Sequence, residues 1–98
     1  MKNKKFQSIA KDVIDYEIKA LKKLRSSIGY AFDQTVKTIL NCKNAKVIIS
    51  GVGKSGIIAK KWAATFSSTG TASFFLDAAN ASHGDMGQIT SNDIVILI

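Results

Sequence analysis

The sequence predicts an α/β fold: two helices, then a parallel sheet reached in the order strand, helix, strand, loop, strand. Three observations carry that expectation. Two segments before residue 45 repeat their apolar positions at intervals of three and four, the spacing of an amphipathic helix. Later segments are short, wholly apolar and β-branched, as strands buried on both faces are. Turn-forming glycines and polar residues separate those segments, and a helical stretch lies between the first two.

The first helix is expected over Phe6 to Leu24, where Phe6, Ile9, Val13 and Tyr16, with Ile14, Ile18, Leu21 and Leu24, form the apolar side. Ser26 or Ser27 is placed to cap a second helix through Ala31, Phe32, Val36, Ile39 and Leu40, which stops near Asn41 to Asn44. Val47-Ile48-Ile49 reads as the first strand. Gly51-Val52-Gly53-Lys54-Ser55-Gly56 follows it, and Ile57 to Phe66 reads as a helix ended by Ser67 to Gly70. Ala72 to Leu76 is the second strand, Asp77 to Gly87 a loop or short helical turn, and Ile94 to Ile98 the third strand. A bare strand of five aliphatic residues invites edge-to-edge association. The expectation is therefore one truncated domain, with residues 1–44 a helical pair and 45–98 the β-α-β-loop-β part, its sheet completed by further chain or a partner.

Composition narrows the function classes. At 98 residues with 46% hydrophobic content, the chain allows one small globular domain and argues against disorder. No apolar run reaches the roughly 20 residues that span a bilayer, and no continuous apolar segment marks a secretory signal. The lone Cys42 excludes an internal disulfide and a cysteine-rich zinc site, so a cytoplasmic protein is expected. The formal charge of +7 lies mostly before residue 26, where Lys2, Lys4, Lys5, Lys11, Lys19, Lys22, Lys23 and Arg25 fall. That pattern reads as a solvated helix face, so no nucleic-acid partner is expected.

A glycine turn between a strand and a helix sets free N–H groups and a positive helix end at the sheet's carboxyl edge, a ready anion site. The nucleoside-triphosphate loop fails here on spacing, because its leading glycine would fall at Ile48. The dinucleotide fingerprint is met by Gly51, Gly53 and Gly56, with Asp77 ending the next strand, but two helices precede the first strand and a lysine occupies the turn. A sugar-phosphate site is the third reading, with Lys54 and Ser55 serving a monophosphorylated ligand. A purely structural reading also stands, in which the glycines only let helix and strand pack closely. Lys54 weighs against that, since it adds positive charge to a positive helix end unless an anion is bound.

The segment Asp77 to Gly87 is polar and small for a link between buried strands. His83 is the sole histidine, so one chain cannot build a two-histidine metal site. It could simply bond its own turn, yet it follows a strand whose carboxyl end faces the same edge as the glycine loop, where open α/β sheets bind ligands. Asp85 reads as a turn or capping carboxylate, and Trp62 and Cys42 as packing residues.

Ser50 to Gly56, Phe66 to Leu76 and His83-Gly84-Asp85-Met86-Gly87 together resemble the sugar isomerase (SIS) domain family, and within it the D-arabinose 5-phosphate isomerases. The resemblance covers nearly all of residues 45–98 and implies a flavodoxin-like, three-layer sandwich around a parallel sheet. It implies an isomerase that interconverts D-ribulose 5-phosphate and D-arabinose 5-phosphate through an enediol, in the supply of the octulosonic sugar (Kdo) of lipopolysaccharide. It further implies no required cofactor, and the bare apolar strand with the amphipathic first helix points to a homo-oligomer. Such chemistry needs a tuned base, an acid at the oxygens and cationic or dipolar support for the enediolate.

By that resemblance Lys54 and His83 are the catalytic candidates, and Gly53, Ser55, Gly70, Thr71, Asp77 and His83 the substrate-binding ones. Asp77 stands where relatives often carry a histidine that binds an inhibitory zinc, which weakens the metal inference. Asn80 stands where many carry glutamate. The family's phosphate-gripping serine loop follows the third strand and its catalytic glutamates lie beyond, so these 98 residues alone are not expected to isomerise the sugar. The alternatives are a non-catalytic sugar-phosphate-binding module and a dinucleotide-binding domain.

Overall fold

In a computed structural model the backbone is described for residues 2–98 and the side chains from residue 5 onward, so the basic side chains of Lys2 and Lys4 lie outside the described residues. The elements run α1 (Lys2–Ser27), α2 (Tyr30–Leu40), β1 (Val47–Gly51), α3 (Lys54–Ser68), β2 (Ser73–Asp77), α4 (Ala78–Ala81), a 3-10 turn (Asp85–Gln88) and β3 (Ile94–Leu97). The chain divides into two compact units, Met1–Thr35 and Val36–Ile98. The last turn of α2 therefore groups with the sheet.

In the first unit, α1 carries its apolar stripe as the spacing of three and four predicts, and Phe6, Ile9, Val13, Leu21 and Leu24 are all exposed. Ser26 and Ser27 do not cap α2. They end α1, where their hydroxyls donate back to the Lys22 carbonyl (3.2 Å) and the Leu24 carbonyl (2.6 Å). Serine hydroxyls compete for nearby backbone carbonyls as readily as they accept N–H groups, so the sequence alone does not decide between the two.

In the second unit the three strands are parallel and ordered β2-β1-β3. Val47 pairs with Ser73 and Ile94, and Ser50 with Leu76 and Leu97. The central strand is the most apolar: Val47, Ile48 and Ile49 are all fully buried. Alternation sends Val47 and Ile49 to the face covered by α3, where Ala59 and Ala63 let the helix approach and Trp62, Phe66, Phe75, Ile94 and Ile96 fill the remaining space. Trp62 and Phe66 meet edge to face at 5.7 Å between ring centroids. On the other face of β3, Val95 and Leu97 remain exposed.

One carboxylate fastens the start of the sheet. The Asp93 side chain is wholly buried and accepts from the Lys46 ammonium (2.8 Å), the Lys46 N–H (3.0 Å) and the Thr90 N–H (2.7 Å). It thereby joins the residue before β1 to the residue before β3. The Lys46 ammonium first, then the Thr90 N–H, hold the Asp93 carboxyl well below the usual carboxylate range.

Candidate active site

The sheet order puts a topological switch at β1: the connection through α3 leads to β2 on one side, and the chain later returns to β3 on the other. In open α/β sheets the crevice at the carboxyl end of such a strand is the ligand site. Here that end carries Gly51-Val52-Gly53 and opens directly into α3.

Each glycine of the turn has its own physical reason. A Cβ on Gly51 would meet the Ser55 carbonyl carbon at 2.8 Å, and one on Gly56 would meet the Gly51 carbonyl oxygen at 2.9 Å. Only glycine lets the first turn of α3 press this closely on the strand end. Gly53 faces open space instead, but adopts φ 60° and ψ −128° as the N-cap of α3. The structural reading thus accounts for Gly51 and Gly56 and leaves Gly53 shaping a turn toward solvent.

Helix α3 begins three residues earlier than its apolar pattern suggests, so Lys54 and Ser55 are its first two residues. Gly53 provides no side-chain cap, and the first intrahelical-type bonds are Gly56 N–H to Val52 O and Ile57 N–H to Gly53 O. The N–H groups of Lys54 and Ser55 precede those bonds and sit at the helix's positive end. Lys54 is exposed and Ser55 half-buried.

A cleft of about 600 Å³ opens beside this turn, within the usual size of small-molecule sites. Gly51, Gly53 and Gly56 form one side with Lys60, and Phe75 and Asp77 the other. Lys54, Ser55 and His83 are not among its lining residues. Asp77 ends β2 and its Oδ1 accepts from the N–H groups of Ala79 (2.8 Å) and Asn80 (3.2 Å), so it caps the short α4. Among the described residues no group of three or more His, Cys, Asp or Glu side chains comes together as a metal site, and Asp77 is occupied as a cap. The residues present do not fit a zinc ion.

His83 lies beyond α4 in the connection that leaves β2's carboxyl end, exposed, with its backbone N–H donating to Asn80 O. Asp85 opens the 3-10 turn, so of the two roles expected of it the structure gives it the turn, with no side-chain bond capping that turn. Gly70 and Thr71 are not brought to the site. They precede β2 and lie at the amino edge of the sheet, about 13 Å away at ~3.3 Å per strand residue. Their role there is to end α3: Gly70 takes φ 99° and the Thr71 N–H donates to Phe66 O (2.9 Å), as in a Schellman motif. They line a separate pocket with Cys42 and Ile39. Conversely, Lys60 and Phe75 line the cleft although neither stands out in the sequence as a site residue. The available signal for Lys60 is its spacing of four from Gly56, which sets both on one helix face.

The SIS domain family profile matches residues 39–98. The chain belongs to the SIS domain family. Its relatives include the arabinose 5-phosphate isomerase KdsD of Francisella tularensis, 51% identical over 84 residues that cover 84% of this chain and 26% of that protein. KdsD of Escherichia coli K12 is 44% identical over 93 residues, 95% of this chain and 28% of that protein. The SIS chain thus spans under a third of the length of these curated relatives. Among solved structures, the Escherichia coli CFT073 c3406 protein in complex with arabinose 5-phosphate superposes with a TM-score of 0.88 at 43% identity, over 99% of this chain and 51% of that one. No helix among the described residues is long and apolar enough to cross a membrane.

Proposed function

We propose that this SIS protein is an aldose–ketose isomerase that interconverts D-ribulose 5-phosphate and D-arabinose 5-phosphate. The observation that carries the reading is the uncapped start of α3 at the sheet's switch point, beside a cleft, in a chain similar to arabinose 5-phosphate isomerases and to a structure solved with that sugar phosphate bound. In this reading the N–H groups after Gly53, with Lys54 and Ser55, hold anionic oxygens of the ligand. Lys54 supplies positive charge as the enediolate forms, and His83 contacts the sugar oxygens from the neighbouring connection. Asp77 orders α4 at the cleft and contacts the sugar only through the oxygen its cap leaves free. The dinucleotide reading is disfavoured by the lysine inside the glycine turn and by the similarity to arabinose 5-phosphate isomerases.

The cleft of these 98 residues holds a cation and N–H donors, and its carboxylate, Asp77, is anchored through Oδ1 as the cap of α4. We therefore place the base outside them, and expect this chain alone to bind its ligand without turnover. The protein acts in the cytoplasm as a homo-oligomer, and its product feeds synthesis of the lipopolysaccharide sugar Kdo.

Calorimetry on the chain with arabinose 5-phosphate, ribulose 5-phosphate and NAD, alongside a coupled isomerase assay, tests this. Both sugar phosphates are expected to bind, Lys54→Met to weaken them about tenfold, and NAD to give no heat. Binding of NAD alone overturns the phosphosugar reading, and robust turnover by the 98 residues overturns the missing base.

A further inference from the structure

Lys60 is the cation that faces the cleft. It follows Gly56 by four residues and so shares the α3 face turned toward β2. Its ammonium lies 5.5 Å from the centroid of the Phe75 ring. The far end of that same ring stands 3.8 Å from where a Gly56 Cβ would be. Lysine and ring therefore meet across the cleft, where the α3 side approaches the β2 side.

No carboxylate neutralises this ammonium. Among the described residues the ion pair is Lys46–Asp93, at the other end of the sheet, and the Asp77 carboxylate on the same cleft is turned to its cap. A lysine held only by a ring face is loosely anchored, keeps much of its hydration and swings on a flexible four-carbon stem. The cleft around it is otherwise walled by apolar groups, Val52, Ile57, Ala78 and Ala79 among them. An anionic oxygen entering such a space meets a cation with no competing partner, near the positive end of α3.

We infer that Lys60 is a ligand-contacting residue of the cleft, which leaves the Phe75 ring to pair with an anionic oxygen of a bound phosphate ester. The inference rests on the reading of this cleft as a phosphosugar site, and adds a second, affinity-setting cation to Lys54. The side chain is exposed and makes no hydrogen bond that shapes the fold, so its replacement tests binding and not folding.

The test titrates the purified protein with inorganic phosphate and, separately, with arabinose 5-phosphate at low and moderate salt. Lys60→Gln is expected to weaken both ligands about tenfold and to flatten the salt dependence, while Lys60→Arg restores most of the affinity. Lys61→Gln, the adjacent charge outside the cleft, is expected to match the wild type. Phosphate binding that depends on Lys60, without arabinose 5-phosphate binding, upholds the contact and overturns the phosphosugar reading. Arabinose 5-phosphate binding that Lys60→Gln leaves unchanged does the reverse. Equal losses in Lys60→Gln and Lys61→Gln, or no binding of either ligand, overturn the inference.

Discussion

Gly56 shows how one missing methyl group can set the shape of a site. Alanine in place of glycine inside a helix gains about 1 kcal/mol of intrinsic preference. Here the added Cβ would stand 2.9 Å from the Gly51 carbonyl oxygen and 3.4 Å from its carbon, both backbone atoms that cannot rotate aside. Overpacking of this kind costs roughly 1–3 kcal/mol, and relief requires α3 to lift from β1. Overpacking wins, so Gly56→Ala is expected to lower the thermal midpoint and to widen the cleft mouth. An alanine variant as stable as the wild type would show that α3 does not press on the strand end as described. Gly53 is a different case at the same scale: nothing crowds it, and its demand is the positive φ alone.

At the scale of elements, the apolar runs were legible because they are contiguous and bounded by turn residues: Val47 to Ile49 reads as a buried strand, and Ile57 to Phe66 as a helix ended by Ser67 to Gly70. What could not be read were choices made by single polar atoms. Ser26 and Ser27 look like caps and serve as carbonyl donors. The resemblance implies substrate positions for Gly70 and Thr71, yet they end a helix at the opposite edge, because a resemblance carries residue identity without a chain's own geometry. Lys60 is one lysine among many until α3 is folded against β2.

Asp93 belongs with these, since its partners are Lys46 and Thr90 and only folding joins the first to it across 47 residues. Its carboxyl is depressed in the folded chain relative to an ordinary value of 3.8, so the folded state binds this proton less readily than the unfolded state does. The contribution is thus fully present above about pH 4 and is lost as pH falls toward the folded value. Asp93→Asn keeps the shape but removes the charge that holds Lys46. Urea unfolding should find the variant less stable at pH 7, with the gap to wild type narrowing at pH 3. A gap that stays constant between those pH values would show that the carboxylate's charge is not what ties β1 to β3.

For the second unit as a whole, the sheet is guarded unequally. On the α3 face Ile94 and Ile96 of β3 are half-buried against the core, whereas on the other face Leu97 is 78% and Val95 41% exposed. The order β2-β1-β3 also leaves the outer backbone edge of β3 without a neighbouring strand among the described residues. An exposed aliphatic face beside an open edge is the arrangement that promotes sheet-to-sheet pairing, and natural sheets often block it with lysine. Burying one leucine is worth about 1.5–3 kcal/mol, enough to bias weak self-association at the concentrations used for structural work. Leu97→Lys is therefore expected to raise solubility and to lower the mass-average size seen by light scattering as concentration increases. It should leave the thermal midpoint nearly unchanged, because so exposed a side chain adds little to the core. If the lysine variant associates as strongly as the parent chain, this strand face is not what draws copies together. If it unfolds instead, Leu97 contributes to the core despite its exposure.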